Sequence, residues 1–240
     1  MSECFDTYWR FAAERQQVFH TRASGAPTPW TNDPVIAQHK FTNVYRATDR
    51  VSQYLIRDVI YTGLQDTNEL VFRIMLFKIF NKISTWELLT DALGARPTWA
   101  DYCFTTYNRI LSAAMYRGER VYSAAYIVPN PPFGEVRKHA NHLRLIEQIM
   151  TSRLPEALAN AASLREVYER LLALPSPGPF LAYQYAIDLA YSPVINADIK
   201  GVSGRTRIKQ EFRPITGPID YRFPPKWGLP IERTARQALR

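Results

Sequence analysis

"LPSPGPFLAYQYAIDLAYSPVINADIK", residues 174–200, decides how this chain reads. Pro175, Pro177 and Gly178 punctuate a turn, and the apolar run from Phe180 onward has the look of a helix. Pro179 falls in the first helical turn, where a missing N–H costs nothing because no partner waits for it. Ser192-Pro193 breaks the run. One acidic residue, Asp198, then leads directly into Lys200 and an irregular basic stretch.

Working outward, "LREVYERLLA" (164–173) supplies a helix before the turn, so residues 164–190 form a helical hairpin. Helical spacing of apolar residues also covers 41–61, 68–81, 84–93, 99–116 and 139–150. "CFDTYWRFAAERQQVFHTR" repeats the pattern near the N-terminus through Phe5, Tyr8, Trp9, Ala12 and Phe19. The loop "GAPTPWTNDP" (25–34) separates it from the rest. "ELVFRIMLFKIF" is ambiguous, since a short apolar run also suits a buried strand. The expected class is mainly α: a helical domain over 1–200 followed by a Pro/Gly-rich basic segment, 201–240, packed on it.

The composition, 46% hydrophobic and 22% charged, is that of a globular chain, which excludes default disorder. No apolar run spans a bilayer and the N-terminus lacks a signal-peptide pattern, so the expectation is a cytoplasmic monomer with no membrane partner. Cys4 and Cys103 form neither a disulfide framework nor a metal cluster. Of the net charge of +8, residues 200–240 carry ten Lys/Arg against three acids, a surplus of seven. Tyr221, Phe223 and Trp227 lie among those cations, a composition suited equally to a polyanion with stackable bases and to a solvated tail.

The most regular periodicity lies in "FTNVYRATDRVSQYLIRDVIY". Phe41, Val44, Tyr45, Val51, Leu55 and Val59 form its apolar face; Asn43, Arg46, Arg50, Gln53 and Arg57 form a second stripe beside Asp49. Guanidiniums on one stripe can grip phosphate or a modified base, or can simply be a solvated face with an ion pair.

The hairpin resembles that of the helix-hairpin-helix DNA glycosylase superfamily, in which a turn of the form L-P-G-x-G lets backbone N–H groups approach a DNA phosphate. With Gly178 as the second glycine, the resemblance places the superfamily's catalytic aspartate at Asp198, within "PVINADIK". A carboxylate there would stabilise oxocarbenium charge and take a proton from the nucleophile, the latter worth roughly 10²–10⁴ in rate. Ser176 replaces the first glycine, and Phe180 stands where bifunctional members carry a lysine, which implies monofunctional action. No cysteine cluster for an iron–sulfur centre is present, and no cofactor or metal is implied.

"PWTNDPVI", "FTNVYRATDRVSQYLI", "LFKIFNKISTWELL", "AAYIVP" and "GPFLAYQYAIDLAYSP" together resemble the α-glutamyl/putrescinyl thymine pyrophosphorylase clade of that fold. The clade includes the helical domain attached to some 5-hydroxymethyl-deoxyuridine DNA kinases, and it is associated with phage DNA hypermodification and anti-phage excision. The resemblance implies a base pocket of Trp30, Asp33, Asn43, Arg46, Asp49, Arg50, Phe80, Asn81, Tyr126 and Gln184. Aromatics there would stack on a flipped base and amides would read its edge. Gly178, Lys200, Arg205, Arg207 and Lys209 would meet the DNA backbone.

Three functions follow. The preferred one is a monofunctional glycosylase that excises a hydroxymethylated or glucosylated pyrimidine with Asp198, in anti-phage defence. The second is a transferase that replaces pyrophosphate on 5-pyrophosphorylated hydroxymethyl-dU with an amine, aided by Asp198 or Asp49. The third is a DNA-binding module without chemistry. Asp188 is a reserve acid with a structural alternative. His20, His39, His139 and His142 form no metal set, and no GxxxxGK[ST] nucleotide loop occurs.

Overall fold

The helix Thr67–Phe80 (α4) settles the ambiguity left by its sequence. Asp66 caps it by accepting the Glu69 N–H at 3.0 Å, and Asn81 ends it in the left-handed region at φ 48°. Every side chain from Glu69 to Phe80 is buried, the mark of a helix enclosed on all sides rather than one lying on a surface. The computed structural model describes residues 3–39, 41–125 and 127–195. Among these there are helices and turns but no strands, as expected for the mainly α class. The segment 201–240 and its packing lie outside the described residues.

The chain divides after Gln53 into two compact units. The first holds α1 (Glu3–Ala23), α2 (Pro34–Gln38) and a 3-10 turn, Arg46–Thr48. A short helix, α3 (Arg50–Tyr54), carries the boundary. The second unit opens with a π-helical turn, Leu55–Ile60, and continues through α4, α5 (Ile83–Leu93), α6 (Phe104–Tyr116), α7 (Lys138–Thr151), α8 (Leu154–Ala159), α9 (Leu164–Leu172) and α10 (Pro179–Ala190).

The single helix expected over 41–61 does not form. Asn43 Nδ2 donates to the Thr48 carbonyl at 2.6 Å, Thr48 Oγ1 to that of Tyr45 at 2.6 Å, and Gln53 Nε2 to that of Ala47. These local bonds occupy carbonyls that a helix would use, and Asp49 is extended at ψ 146°. The polar stripe is therefore broken at Asp49. Buried Arg73 takes up carbonyls within and beyond the π turn: its Nε donates to Val59 at 3.0 Å and its Nη2 to Leu64 at 2.6 Å.

The helix expected from 99 begins at Phe104 instead. The Trp99 and Ala100 amides donate to the Glu69 carboxylate at 2.9 and 3.0 Å, which holds them in a turn. The short α8, with Pro155 in its first turn, was not expected from the sequence. At the hairpin, prediction and structure agree closely. Ser163 Oγ accepts from Glu166 N, and the Glu166 carboxylate accepts at 2.8 Å from the N–H of Ala162, one residue before the cap, so two bonds start α9. Gly178 caps α10, with Pro179 next. The positive φ of the turn falls on Ser176 (96°), not on Gly178, whose φ is −73°.

Candidate functional site

A connected set of side chains surrounds the C-terminal end of α4 in the second unit. Lys78 Nζ lies 2.8 Å from the Asp188 carboxylate on α10 and donates to Asn81 Oδ1 at 3.4 Å. Lys78 and Asp188 are 1% and 2% exposed, so this ion pair stands apart from water. Gln184, one turn before Asp188 on α10, is also buried. The Phe80 carbonyl accepts from Ser123 N at 2.9 Å, and the Phe80 ring lies 5.1 Å from that of Tyr122.

Tyr122 extends the set to α7 and to the hairpin. Its hydroxyl is 2.6 Å from His142 Nδ1, and Lys138 Nζ sits 4.7 Å over its ring. His142 Nε2 lies 2.8 Å from the Pro129 carbonyl, which Ser176 Oγ also reaches at 3.1 Å. A carbonyl only accepts, so Nε2 carries the hydrogen and Nδ1 accepts from Tyr122. Burial pushes His142 down to about 4 and pushes the Tyr122 phenol up, which keeps both neutral near pH 7. The α9–α10 hairpin is thereby tied to α4 twice, through Asp188–Lys78 and through Ser176–Pro129–His142–Tyr122–Phe80.

Of the residues expected in the base pocket, Asn81 meets Lys78, Phe80 meets Tyr122, and Gln184 lies buried on α10 one turn before Asp188. Trp30, Asp33, Asn43, Arg46, Asp49 and Arg50 belong to the first unit. Asp33 accepts from Val35 N and Ile36 N at 2.9 and 3.0 Å, so its carboxylate serves as the cap of α2. Trp30 Nε1 donates to the Ala26 carbonyl at 2.9 Å, and the Arg22 guanidinium lies 5.9 Å over its ring. Arg50 is exposed.

Asp49 is half-buried, and desolvation raises its pKa against the lowering effects of the Asn43 backbone N–H, Arg46 and Arg15. A carboxylate raised in this way is a better base than an ordinary surface aspartate. Arg15 donates to the Phe41 carbonyl at 3.0 Å; burial and Arg22 lower its pKa, and Asp49 opposes them. Tyr126, Asp198, Lys200, Arg205, Arg207 and Lys209 lie outside the described residues.

The sequence pattern did not single out Lys78 or Tyr122, while His142, set aside there as a metal ligand, is a satisfied core histidine. A lysine inside "FRIMLFKIF" was the available signal, because a lone cation in an apolar helix needs a buried partner. Among the described residues no group of three or more His, Cys, Asp or Glu could hold a metal, and no helix is long and apolar enough to cross a membrane.

Residues 2–203 match the sequence profile of a family described as "5-hmdU DNA kinase, helical domain". The chain belongs to that family. A curated relative, the 5-hmdU DNA kinase of Bacillus phage SP10, is 32% identical over 200 residues, which cover 77% of this chain. The chain spans about a third of that relative's length (31%). No solved structure matches. Both matches are named for a DNA-modifying kinase and not for a base-excising hydrolase. They overturn the preferred expectation that the chain is a base-excising glycosylase.

Proposed function

We propose that this chain is a DNA-modifying transferase that acts on thymine-type bases already activated at the 5-methylene, replacing pyrophosphate with an amine. The observation that carries this reading is the match of residues 2–203 to the helical part of a 5-hmdU DNA kinase family. The α-glutamyl/putrescinyl thymine pyrophosphorylase resemblance points to the same step. The substrate is phage DNA carrying 5-hydroxymethyl-dU pyrophosphate.

In that step the amine nitrogen bonds to the methylene carbon while the carbon–oxygen bond to pyrophosphate breaks. The bonding pair leaves on pyrophosphate, and the amine's surplus proton passes to a carboxylate. Asp49 and Asp198 are the proposed acceptors, with the raised pKa of Asp49 in its favour. We read α9, its turn and α10 as a helix-hairpin-helix element that holds the DNA backbone. In support, open space surrounds Gly178 on the side where a Cβ would point. Lys200, Arg205, Arg207 and Lys209 supply the cations downstream.

The test incubates the protein with a duplex bearing one pyrophosphorylated 5-hydroxymethyl-dU and either putrescine or glutamate. Released pyrophosphate and the mass of the product nucleoside are then measured. Amine-dependent release with a C–N-linked product is expected, reduced on the order of a hundredfold in whichever of Asp49→Asn and Asp198→Asn removes the base. Phosphate transfer from ATP to 5-hydroxymethyl-dU by this chain alone, or no amine adduct with any donor, overturns the reading.

A further inference from the structure

We propose that Lys78 makes Asn81 a reader of keto pyrimidines: it holds the amide oxygen inward, so the amide nitrogen can only donate to a base acceptor such as O4 of a uracil-type ring. The inference rests on the DNA-base reading above and deepens it by naming what separates 5-hydroxymethyluracil from 5-hydroxymethylcytosine.

An asparagine side chain can usually present either end, because its oxygen and nitrogen differ little in shape. Here one end is fixed. The Lys78 ammonium has hydrogens and no lone pair, and it lies 3.4 Å from Asn81 Oδ1. Asp188, 2.8 Å away on α10, holds the ammonium in place. Turning the amide would set Nδ2–H against Nζ–H, two donors facing each other in a buried site.

The Asn81 backbone is fixed as well. Its N–H donates to the Phe77 carbonyl at 2.7 Å, and its φ of 48° is the left-handed conformation that ends α4. Asn81 is 8% exposed, and among the described residues Nδ2 has no hydrogen-bond partner. Nδ2 is not sealed from solvent, so its two oriented hydrogens are open to an incoming acceptor. A uracil-type base offers the O4 acceptor at this edge, where a cytosine-type base offers the N4 amino donor. A bound base of the wrong kind would take these donors out of water and leave them unpaired, which is the stronger form of discrimination.

The experiment measures affinity by fluorescence anisotropy for duplexes with one 5-hydroxymethyl-dU or one 5-hydroxymethyl-dC, with unmodified DNA as reference. The wild type favours the dU form on the order of tenfold or more. Asn81→Asp turns the donor into an acceptor and is tolerated in the left-handed region, so it inverts the preference. Lys78→Met combined with Asp188→Leu removes the constraint without leaving a buried charge, and the ratio falls close to one. Equal wild-type affinities, or an Asn81→Asp variant that keeps the wild-type ratio, overturn the inference. Product mass is followed separately. Discrimination without an amine adduct retires the transferase reading and leaves this one standing.

Discussion

His142 and Ser176 donate to the same backbone carbonyl, that of Pro129, at 2.8 and 3.1 Å. One residue sits on α7 and the other in the hairpin turn, so a single oxygen couples the hairpin to the helix behind it. This oxygen also fixes the His142 tautomer and so directs the Tyr122 hydroxyl to Nδ1. The two donors differ in what removing them would do.

Ser176 combines two opposed contributions. Its φ of 96° is unfavourable for any residue with a Cβ, and its hydroxyl contributes a hydrogen bond. Ser176→Ala loses the bond and keeps the strain, at a cost of about 1 kcal/mol. Ser176→Gly loses the same bond and relieves a penalty of about 1 kcal/mol, so it ends near the wild type. Urea unfolding should rank Ser and Gly together, with Ala below both.

His142 gives a pH signature. Its folded pKa of about 4 lies below the usual value of 6.5, with burial as the main cause and Lys138 and His139 adding to it. A histidine kept neutral in the folded state contributes no penalty above pH 6.5. As pH falls from 6.5 toward 4, the unfolded chain takes up a proton that the folded chain refuses, so stability drops. For this fully buried ring the loss reaches about 3 kcal/mol by pH 4. His139 is shifted in the same direction by desolvation. Unfolding free energies at pH 7 and pH 4.5 should differ less in His142→Gln than in the wild type; an equal difference would remove His142 from the account.

How far the sequence led is clear from particular residues. The hairpin was readable because its signals are local: Pro175, Pro177 and Gly178 punctuate the turn, and Pro179 sits in the first turn of the next helix. The helix over 41–61 was misread because apolar periodicity takes no account of side chains that compete for backbone carbonyls, as Asn43, Thr48 and Gln53 do. Of the expected pocket residues, Asn81 contacts Lys78, a cation whose partner could not be read from the sequence. Lys78 and Asp188 are 110 positions apart, and no spacing rule links them. Asp33 is a helix cap and shows how a polar residue in a motif can also serve local structure.

Arg73 carries the end of the π-helical turn. Replacing it with Met leaves the Val59 carbonyl without its Arg73 donor, worth about 1–3 kcal/mol for a buried acceptor, while the Leu64 carbonyl, on an exposed residue, keeps only the longer Gln65 Nε2 contact at 3.5 Å. The Glu69 carboxylate, 3.9 Å from Arg73, loses its nearby cation as well. Arg73→Lys restores a charge but cannot reach both carbonyls with one fork, so it recovers only part of the stability. Hydrogen exchange should report the damage locally, with faster exchange across 60–65 than across α9. Uniform acceleration throughout the unit would mean that Arg73 acts on global stability alone.

Lys78 and Asp188 allow a sharper test, because a buried pair and its two halves behave differently. Lys78→Met leaves a carboxylate in a site that is 2% exposed, and Asp188→Leu leaves an ammonium in one that is 1% exposed. Either change should cost about 3–5 kcal/mol. The double variant removes both charges and fills the space with apolar atoms, so it should recover most of that loss and can match the wild type. A double-mutant cycle by chemical denaturation would then give a coupling of several kcal/mol. If the double variant instead falls by the sum of the single losses, the pair is not coupled, and the link between α4 and α10 rests on apolar packing. Recovery of stability together with loss of base preference would show that the pair is kept for recognition and not for the fold.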